Sequence, residues 1–379
     1  MPRRYKIVVL PGDGVGAEVV PEAVKVLKAA EESTEGLNLE FQEFECGAHH
    51  WSKTGKREEW PPEAFQACRE STAILFGAVG LPEAVKPDGV MVGADVVFGM
   101  RFGLDLYANV RPVRLYPGVE CPIAGKKPGD VDFVVVRENT EDLYSPIRGA
   151  LTRGGETELA VDVRVVTRKG AERVIKYAFE LCGRRRGSPQ DGKHRVTCVD
   201  KSNVLRGCVF FRNLYDEIAK GYPSIERDYA YVDAFTQWMI RRPEFYDVVV
   251  TTNMFGDIIT DLASVLQGGM GMAPAGNIGD KYAMFEPIHG SAPRIAGKKV
   301  ANPTAAILSA KMMLQWIAET HNDEAPRRAA EKIGRAVERV LLEGKVRTYD
   351  LGGKASTIEM GDAIADTVRK MAETELNEV

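Results

Sequence analysis

Two aspartates one helical turn apart, Asp257 and Asp261, are the first candidates for chemistry in this sequence. Residues four positions apart lie on one face of a helix, so the two carboxylates would repel each other unless a cation sat between them. With Asp233, which follows a predicted strand, they would form an all-oxygen site suited to Mg²⁺ or Mn²⁺. The spacing leaves an alternative open, in which Asp257 caps the start of the helix and Asp261 faces solvent.

Arginines form a second group with a shared chemistry. Arg101, Arg111 and Arg114 lie close together in the sequence, and Arg137 ends a predicted strand. The arginine fork binds carboxylates in a bidentate manner, so several arginines around one metal indicate a small di- or tricarboxylate. A single arginine is more often an ordinary surface residue, and the prediction therefore rests on the combination.

These residues need a scaffold, and short apolar runs that alternate with helical patterns supply one. Strands are predicted at 6–10, 73–76, 132–136, 196–199, 229–232 and 247–251, and helices at 18–30, 169–182, 209–220, 303–319, 324–343 and 361–375. The alternation predicts an α/β fold with a largely parallel sheet. Four of the strands run into the polar segments 137–144, 200–203, 233 and 253–261. Sites form at the carboxyl ends of such strands, so these segments should meet.

One glycine-rich turn invites a different interpretation. Gly12, Gly14 and Ala17 match G-x-G-x-x-A between a strand and a helix, and the acidic residues Glu40 and Glu43 follow about 25 positions later. This pattern is typical of a dinucleotide fingerprint, with pyrophosphate on the helix N-terminus. A tight turn that merely needs several glycines explains it equally well.

Composition narrows the class of protein. The 379 residues predict two domains, and 44% hydrophobic with 27% charged content excludes wholesale disorder. A net charge of −4 argues against nucleic acid as a partner, and no apolar stretch is long enough to cross a membrane. The six cysteines lack metal-ligand spacing, which predicts reduced thiols in a cytoplasmic protein. The basic run at 183–195 is predicted to be a solvated loop rather than a binding patch.

Eight motifs spread over nearly the whole chain resemble those of the metal-dependent β-decarboxylating dehydrogenases, the isocitrate/isopropylmalate dehydrogenase family. They are PGDGVG at 11–16, DLYANVRP at 105–112, VRENTE at 136–141, DKSNV at 200–204, YVD at 231–233, NMFGDIITDLAS at 253–264, FEPIHGSAP at 285–293 and ANPTAAILSAKMML at 301–314. The stretch 253–272 is the family's signature. The resemblance is greatest to the members that act on 3-isopropylmalate or on tartrate and D-malate.

The resemblance implies a two-domain isopropylmalate-dehydrogenase-like fold, not a Rossmann fold, so the glycine-rich turn would not hold pyrophosphate. Residues 1–106 and 268–379 would form a discontinuous cofactor-binding domain, and residues 107–267 a domain for substrate, metal and dimerisation. A β-hairpin near 151–166 would be an arm that clasps the second subunit of a homodimer with shared active sites.

The resemblance also assigns roles to single residues. Arg101, Arg111 and Arg137 would bind the malate carboxylates, and Asp257 and Asp261 would hold Mg²⁺ or Mn²⁺ with Asp233 of the neighbouring subunit. Lys201, also from the neighbour, would accept the substrate hydroxyl proton. Tyr144 would protonate the enol left after hydride transfer from C2 to the nicotinamide and loss of the β-carboxylate. The cofactor contacts would be Glu286, His289, Gly290, Ser291, Ala292, Arg294, Ile295, Asn302 and Asp350.

The helix turn before Arg101 bears on the substrate. Family members that take isocitrate have Ser and Asn six and four residues before this arginine, where this chain has Asp95 and Val97. Asp95 would repel a γ-carboxylate, whereas Val97 and Phe98 offer apolar surface. This favours 3-isopropylmalate, with D-malate or tartrate as the alternative, because Phe98 replaces a usual Leu and could narrow the pocket. Isocitrate and homoisocitrate are less favoured.

The cofactor loop departs from the family pattern at one position. Relatives that use NAD read Ala-Pro-Asp-Ile, and this chain reads Ala292-Pro293-Arg294-Ile295. Arginine cannot accept the ribose hydrogen bonds and could instead contact the 2′-phosphate of NADP. Ile295 is the NAD-type neighbour, so we expect NAD, with NADP possible.

Two non-catalytic classes compete with an enzyme. A regulatory subunit of an isocitrate dehydrogenase would resemble this chain but would lose metal aspartates, the lysine or arginines, and a binding module for diacids would not need Lys201. All of these residues are present. We therefore expect an enzyme.

Overall fold

A computed structural model describes residues 3–55, 57–87 and 89–376. The strands are β1 Tyr5–Leu10, β2 Leu39–Glu43, β3 Ala73–Phe76, β4 Ala108–Arg114, β5 Asp132–Glu138, β6 Arg148–Arg153, β7 Glu156–Asp162, β8 Arg195–Asp200, β9 Glu226–Tyr231, β10 Val248–Thr251, β11 Pro274–Ile278 and β12 Ala283–Pro287. The helices are α1 Gly16–Glu32, α2 Ala48–Lys53, α3 Pro62–Glu70, α4 Ala94–Gly103, α5 Arg168–Arg184, α6 Arg206–Ala219, α7 Val232–Arg241, α8 Asn253–Ser264, α9 Thr304–His321, α10 Glu324–Glu343 and α11 Thr357–Leu376. The predicted α/β class is confirmed.

The chain divides into two compact units. The first unit takes in the described residues through Leu106, Leu115–Pro128, and those from Ser264 onward, and the second takes in Tyr107–Arg114 and Gly129–Ala263. A short segment around Leu115–Pro128 thus returns to the first unit, which the predicted boundaries placed in the second. The assignment of cofactor and substrate to these units remains a prediction.

In the first unit the strands follow the order β2, β1, β3, β12, β11. All neighbours are parallel except β11 and β12, which are antiparallel. Its core is apolar because β3 is buried along its whole length and α4 presents Val96 and Met100 to it. Buried β-branched and aliphatic side chains of this kind are the main favourable contribution to folding.

The glycine-rich turn between β1 and α1 does not have the free donors of a dinucleotide fingerprint. The Val15 amide donates to the Ser291 carbonyl at 2.9 Å, and a Cβ on Gly14 would lie 2.1 Å from that same oxygen. The buried Asp13 carboxylate accepts from the amides of Ala48 and Gly80, both at 2.7 Å. The turn therefore joins three loops of the first unit, and the Rossmann interpretation is wrong, as the resemblance implied.

In the second unit the order is β4, β5, β10, β8, β9. Only β4 is antiparallel to its neighbour, and the other four strands are parallel. The carboxyl ends of these four strands therefore lie at one edge, where the polar segments predicted from the sequence begin. Residues 137–144 follow β5, Lys201 follows β8, α7 with Asp233 follows β9, and α8 follows β10.

The predicted hairpin is present and fully exposed. β6 and β7 pair antiparallel across the turn at Gly154 and Gly155, whose φ angles of 58° and 88° favour glycine. Every residue of both strands is exposed, including the cross-strand pair Leu151 and Leu159. An isolated two-stranded hairpin with apolar side chains in water is at best marginally stable, which is consistent with an arm that requires a partner surface.

Candidate active site

Asp257 lies at the centre of a polar cluster in the second unit. Its carboxylate accepts a hydrogen bond from the Tyr144 hydroxyl at 2.7 Å, from Arg137 at 2.5 Å and from Arg111 at 3.3 Å. Because α8 begins at Asn253, Asp257 lies in the second turn and cannot cap the helix. The capping part of the alternative is therefore wrong, whereas its other part, a solvent-facing Asp261, agrees with the structure. The Met254 amide donates instead to the Asp142 carboxylate, at 3.0 Å.

Both arginines beside Asp257 are oriented by protein groups alone. Arg137 is 1% exposed, and its guanidinium donates to the carbonyl oxygen and the side-chain oxygen of Asn253 at 2.8 and 2.7 Å. Arg111 donates to Asn109 and Thr260, both at 2.6 Å. Charged donors held in this way present fixed positive charge without reorganisation when an anionic ligand binds.

Asp261, one turn further along α8, is exposed as a residue, yet the partial desolvation of its carboxyl raises its pKa. The positive charges of Arg111 and Arg137 oppose this rise, and the negative charge of Asp257 adds to it. Two carboxylates this close are stabilised in their ionised form by a cation between or beside them. The oxygen donors on this face of α8 therefore fit Mg²⁺ or Mn²⁺.

Lys201 and Asp233 form a separate pair beyond the ends of β8 and β9. The lysine ammonium and the aspartate carboxylate lie 2.6 Å apart, and the hydrogen bond from Lys201 lowers the pKa of Asp233. The side chain of Asp233 is 67% exposed, so the pair faces outward from its own chain. Such exposure is what a residue that serves a neighbouring subunit requires.

The three predicted metal aspartates do not come together within one chain. Over residues 3–55, 57–87 and 89–376, one trio of metal-type ligand atoms lies within 4.8 Å, and it consists of Cys182, His194 and Asp247. Asp247 is already satisfied there by Arg185 at 2.6 Å and by the Cys182 thiol at 3.2 Å, and burial strongly raises the pKa of that thiol. A metal would need the Cys182 thiolate, and the raised pKa of this buried thiol favours its protonated form, so the trio is a structural cluster.

Helix α4 carries the residues predicted to select the substrate. Arg101 is buried and lies 3.5 Å from the Glu286 carboxylate, Val97 packs against the core of the first unit, and the rings of Phe98 and Phe102 stack at 5.7 Å. The Asp95 carboxylate is paired with Lys86 at 2.7 Å. The repulsion of a γ-carboxylate expected from Asp95 is therefore weaker than an unpaired aspartate would produce.

The predicted cofactor residues belong to the first unit. Glu286 accepts from Asn277 at 2.8 Å, Ser291 donates to the Gly80 carbonyl at 2.5 Å, and Ala292 adopts a φ of 41°, which is unusual for a residue with a side chain. Burial of the ring lowers the pKa of His289, so its imidazole is neutral near about pH 7 and can stack on an aromatic base. A Cβ on the adjacent Gly290 would meet no atom within 4 Å.

A second part of the predicted cofactor surface comes from two other loops. The Asn302 amide donates to the Asp350 carboxylate at 3.0 Å, and both crowd Gly271, where a Cβ would lie 2.7 Å from Asp350. Arg294 is exposed, and the Ile295 amide closes the turn by donating to the Ala292 carbonyl at 3.0 Å. An open glycine surface beside a neutral imidazole and a carboxylate fits a nucleotide cofactor.

The sequence did not single out several residues that hold this site. Asn253 orients Arg137, and Asn109 with Thr260 orients Arg111. These three lie inside the motifs that carry the family resemblance, and that membership was the available signal. Arg164, which forms an ion pair with Asp142, lies outside every motif, and no sequence signal pointed to it.

Comparison with known proteins identifies the class. The family model described as isocitrate/isopropylmalate dehydrogenase matches residues 6–364, and the chain belongs to that family. It is a decarboxylating dehydrogenase, which excludes the two non-catalytic classes. No helix within the described part of the chain is both long and apolar enough to cross a membrane.

Individual relatives differ in the substrate that their names give. The chain is 42% identical over 367 residues to 3-isopropylmalate/3-methylmalate dehydrogenase of Methanocaldococcus jannaschii, covering 97% of this chain and 99% of the relative. It is 40% identical to tartrate dehydrogenase/decarboxylase of Pseudomonas putida, covering 97% and 98%. Among solved structures, isocitrate dehydrogenase from Methylococcus capsulatus matches with a TM-score of 0.84 and 38% identity, covering 96% of this chain and 99% of that one.

Proposed function

We propose that this protein catalyses the NAD- and Mg²⁺- or Mn²⁺-dependent oxidative decarboxylation of a 3-substituted malate, with 3-isopropylmalate as the first candidate. The observation that carries the proposal is the Asp257 carboxylate, contacted at once by Tyr144 and by two fixed arginines. Cationic, anionic and proton-bearing groups within hydrogen-bond distance of one another are what the binding and decarboxylation of a hydroxy diacid require.

The proposal gives each site residue of this chain a role in binding or in proton transfer. Arg101, Arg111 and Arg137 bind and orient the malate carboxylates, and Asp257 and Asp261 hold the cation with Asp233 of a second copy. When bound, the nicotinamide accepts the C2 hydride and the cation withdraws electron density from the substrate oxygens. Lys201 of the second copy, in its neutral amine form, accepts the hydroxyl proton at Nζ, and the Tyr144 hydroxyl delivers a proton to the enol carbon.

A homodimer with shared sites follows from the same proposal. The pairing of Lys201 with the exposed Asp233, and the absence of a trio formed by Asp233, Asp257 and Asp261 in one chain, support a site that a second copy completes. The exposed hairpin of β6 and β7 and the exposed apolar residues Ile258 and Leu262 on α8 are the proposed contacts. Contiguous exposed apolar surface of this kind is typical of an interface.

D-malate or tartrate is the second candidate, and a specific observation favours it. The stacked rings of Phe98 and Phe102 place aromatic bulk on the helix that would face the γ-substituent, which leaves less room for an isopropyl group. The relative named for tartrate is 40% identical, nearly as similar as the relative named for 3-isopropylmalate and 3-methylmalate. NAD is the proposed cofactor, with NADP possible because of Arg294.

Initial rates on a substrate panel test the proposal. The panel contains 3-isopropylmalate, D-malate, tartrate, isocitrate and homoisocitrate, each with NAD⁺ or NADP⁺ and with or without Mg²⁺. We expect the highest kcat/KM for 3-isopropylmalate with NAD⁺, and no turnover without the cation. Preference for D-malate or tartrate would select the second candidate, and turnover of none of the five would reject the proposal.

Substitution of the proposed proton acceptor tests the mechanism. Lys201→Ala should lower kcat at least about 100-fold, because a general base contributes roughly 10²–10⁴. The matched control is Lys220→Ala, which removes an exposed lysine at the end of α6 in the same unit. Near wild-type turnover by Lys201→Ala would remove Lys201 from the mechanism.

A further inference from the structure

Asp142 is a buried residue that joins three segments of the second unit. It is 1% exposed, and its φ of 68° is a backbone conformation that aspartate adopts at some cost in energy. One carboxylate oxygen accepts the Met254 amide in the first turn of α8 at 3.0 Å, and the other lies 2.7 Å from Nε of Arg164. Its backbone exchanges hydrogen bonds with Val165.

Arg164 connects this point to the exposed hairpin. It lies two residues after the end of β7, and its guanidinium also donates to the Thr252 hydroxyl at 2.8 Å and stacks over Phe255 at 4.6 Å. Val163, next to it, donates to the Ile147 carbonyl just before β6. The base of the hairpin is thus tied through one side chain to the residues that begin α8.

The consequence concerns the distance between Tyr144 and Asp257. Tyr144 lies two residues after Asp142, and Asp257 lies three residues after Met254, so Asp142 fixes the starts of both segments. The resulting contact is the 2.7 Å hydrogen bond between the Tyr144 hydroxyl and the Asp257 carboxylate. Misplacement of a reacting group by about 1 Å can cost roughly 100-fold in rate.

We propose that Asp142 and Arg164 form a positioning pair that holds Tyr144 against Asp257 and makes proton delivery depend on the seating of the hairpin. The inference rests on the proposed function, in which the Tyr144 O–H bond breaks and a C–H bond forms at the enol carbon. The electrons of the carbon–carbon double bond form that C–H bond. The enol O–H bond breaks to form the product carbonyl, its proton passes to the Lys201 amine of the second copy, and solvent reprotonates the Tyr144 phenolate. Neither Asp142 nor Arg164 contacts substrate, so both act through Tyr144.

Two variants test the pair. Asp142→Asn keeps the shape and removes the charge, and Arg164→Lys keeps the charge and removes the fork that reaches Thr252. We expect kcat to fall about tenfold or more in each, with the KM for substrate changed less than about threefold. The matched control is Arg339→Lys, the same change at an arginine of α10 whose side chain is 59% exposed and which lies outside the proposed dimer contacts.

The solvent deuterium isotope effect separates positioning from general destabilisation. If Tyr144 is displaced, proton delivery becomes rate-limiting, so the ratio of kcat in H₂O to kcat in D₂O should rise in both variants and stay at the wild-type value in Arg339→Lys. A lower kcat with an unchanged ratio, or equal losses in the control, would overturn the proposal.

Amide hydrogen exchange gives a readout that does not depend on turnover. We expect faster exchange at the start of α8, including the Met254 amide, in Asp142→Asn and Arg164→Lys but not in Arg339→Lys. Unchanged exchange in both variants would overturn the proposed positioning pair. If the wild-type protein converts no substrate of the panel, the proposed function fails, and the exchange rates still test whether Asp142 and Arg164 hold the start of α8. If the wild-type protein is active and the variants match its kcat, the inference alone fails.

Discussion

At the residue scale, the arginines beside Asp257 are preorganised by their hydrogen bonds to the protein. Arg137 is nearly inaccessible to solvent and uses its Nε and one terminal nitrogen on Asn253, which leaves the other terminal nitrogen for Asp257. A buried guanidinium is costly unless its hydrogen bonds are satisfied, so the fork can hold only this orientation. The positive charge is thus in place before any substrate arrives.

Arg294 yields a prediction about cofactor choice. Arg294→Asp should raise the ratio of kcat/KM with NAD⁺ to kcat/KM with NADP⁺ by about tenfold or more, because a carboxylate accepts ribose hydroxyl bonds and repels a 2′-phosphate. The measurement is the pair of initial-rate series for each nucleotide. Lys298→Asp, an exposed lysine of the same loop, is the control, and an equal shift in that variant would assign the effect to general charge.

Glu138 yields a prediction about pH. Burial raises the pKa of Glu138 to about 7, although it accepts from the Thr140 and Glu141 amides. A raised carboxyl pKa favours the protonated form in the folded state, so its contribution to stability is present at low pH and is lost as the pH rises through about 7. Thermal unfolding between about pH 5 and about pH 8 should therefore show a smaller loss of stability for Glu138→Gln than for the wild type. An equal loss of stability with pH in Glu138→Gln and in the wild type would contradict this prediction.

At the element scale, strands made of consecutive apolar residues were predictable, whereas β2 and β4, in which polar residues interrupt the apolar ones, were not. The apolar runs at 73–76 and 132–136 coincide with β3 and most of β5, because strands with both faces covered consist of consecutive apolar residues. β2, at the edge of the first unit, carries only two apolar residues, and β4 contains Pro112 and two arginines. Their polar side chains hid the strand pattern, since what fixes them is pairing with a neighbour remote in sequence.

The candidate site likewise contains residues that the sequence could predict and contacts that it could not. That Asp257, Arg111 and Arg137 belong to one site was predictable because their chemistry is visible in their types and spacing. The metal-binding role of the aspartates stays a prediction. The contacts that hold these residues in place were not predictable, because Arg164 reaches Asp142 and Thr252 across the fold and no local pattern encodes that distance. The paired state of Asp95 with Lys86 was hidden for the same reason.

Helix α8 carries the prediction that belongs to this scale. Ile258 and Leu262 are 55% and 36% exposed and lie one turn apart, beside the aspartates on the same helix. Ile258→Glu should dissociate the proposed dimer, because a buried charge at the centre of an interface costs about 2 kcal/mol or more. Sedimentation should show the monomer mass, and kcat should fall because Lys201 of the second copy is lost.

The control for that experiment is Leu342→Glu. Leu342 lies on α10, is 65% exposed and has no proposed contact. The Leu342→Glu variant should remain dimeric and active. A monomer that keeps full activity after Ile258→Glu would contradict the shared site.

At the scale of the whole molecule, the near-neutral net charge of −4 conceals a separation of charges within each chain. Asp257 and Asp261 lie on α8, where Asp257 contacts arginines of β4 and β5, and Lys201 forms its pair with the exposed Asp233 beyond β8 and β9. In a symmetric dimer each surface patch meets the equivalent patch of the partner, so two complete sites form at once. Neither chain then carries all the groups of one site.

This arrangement predicts that two inactive variants restore activity to each other. Lys201→Ala retains Asp257, and Asp257→Asn retains Lys201, so a heterodimer contains one intact site and one site with both defects. Random mixing of subunits after denaturation and refolding should give about a quarter of the wild-type activity, because half of the dimers are mixed and each has one working site. A site built within a single chain would leave the mixture as inactive as its components. Mixing Lys201→Ala with Lys201→Ala under the same conditions measures the background, and recovery above it locates the proton acceptor in the opposite subunit.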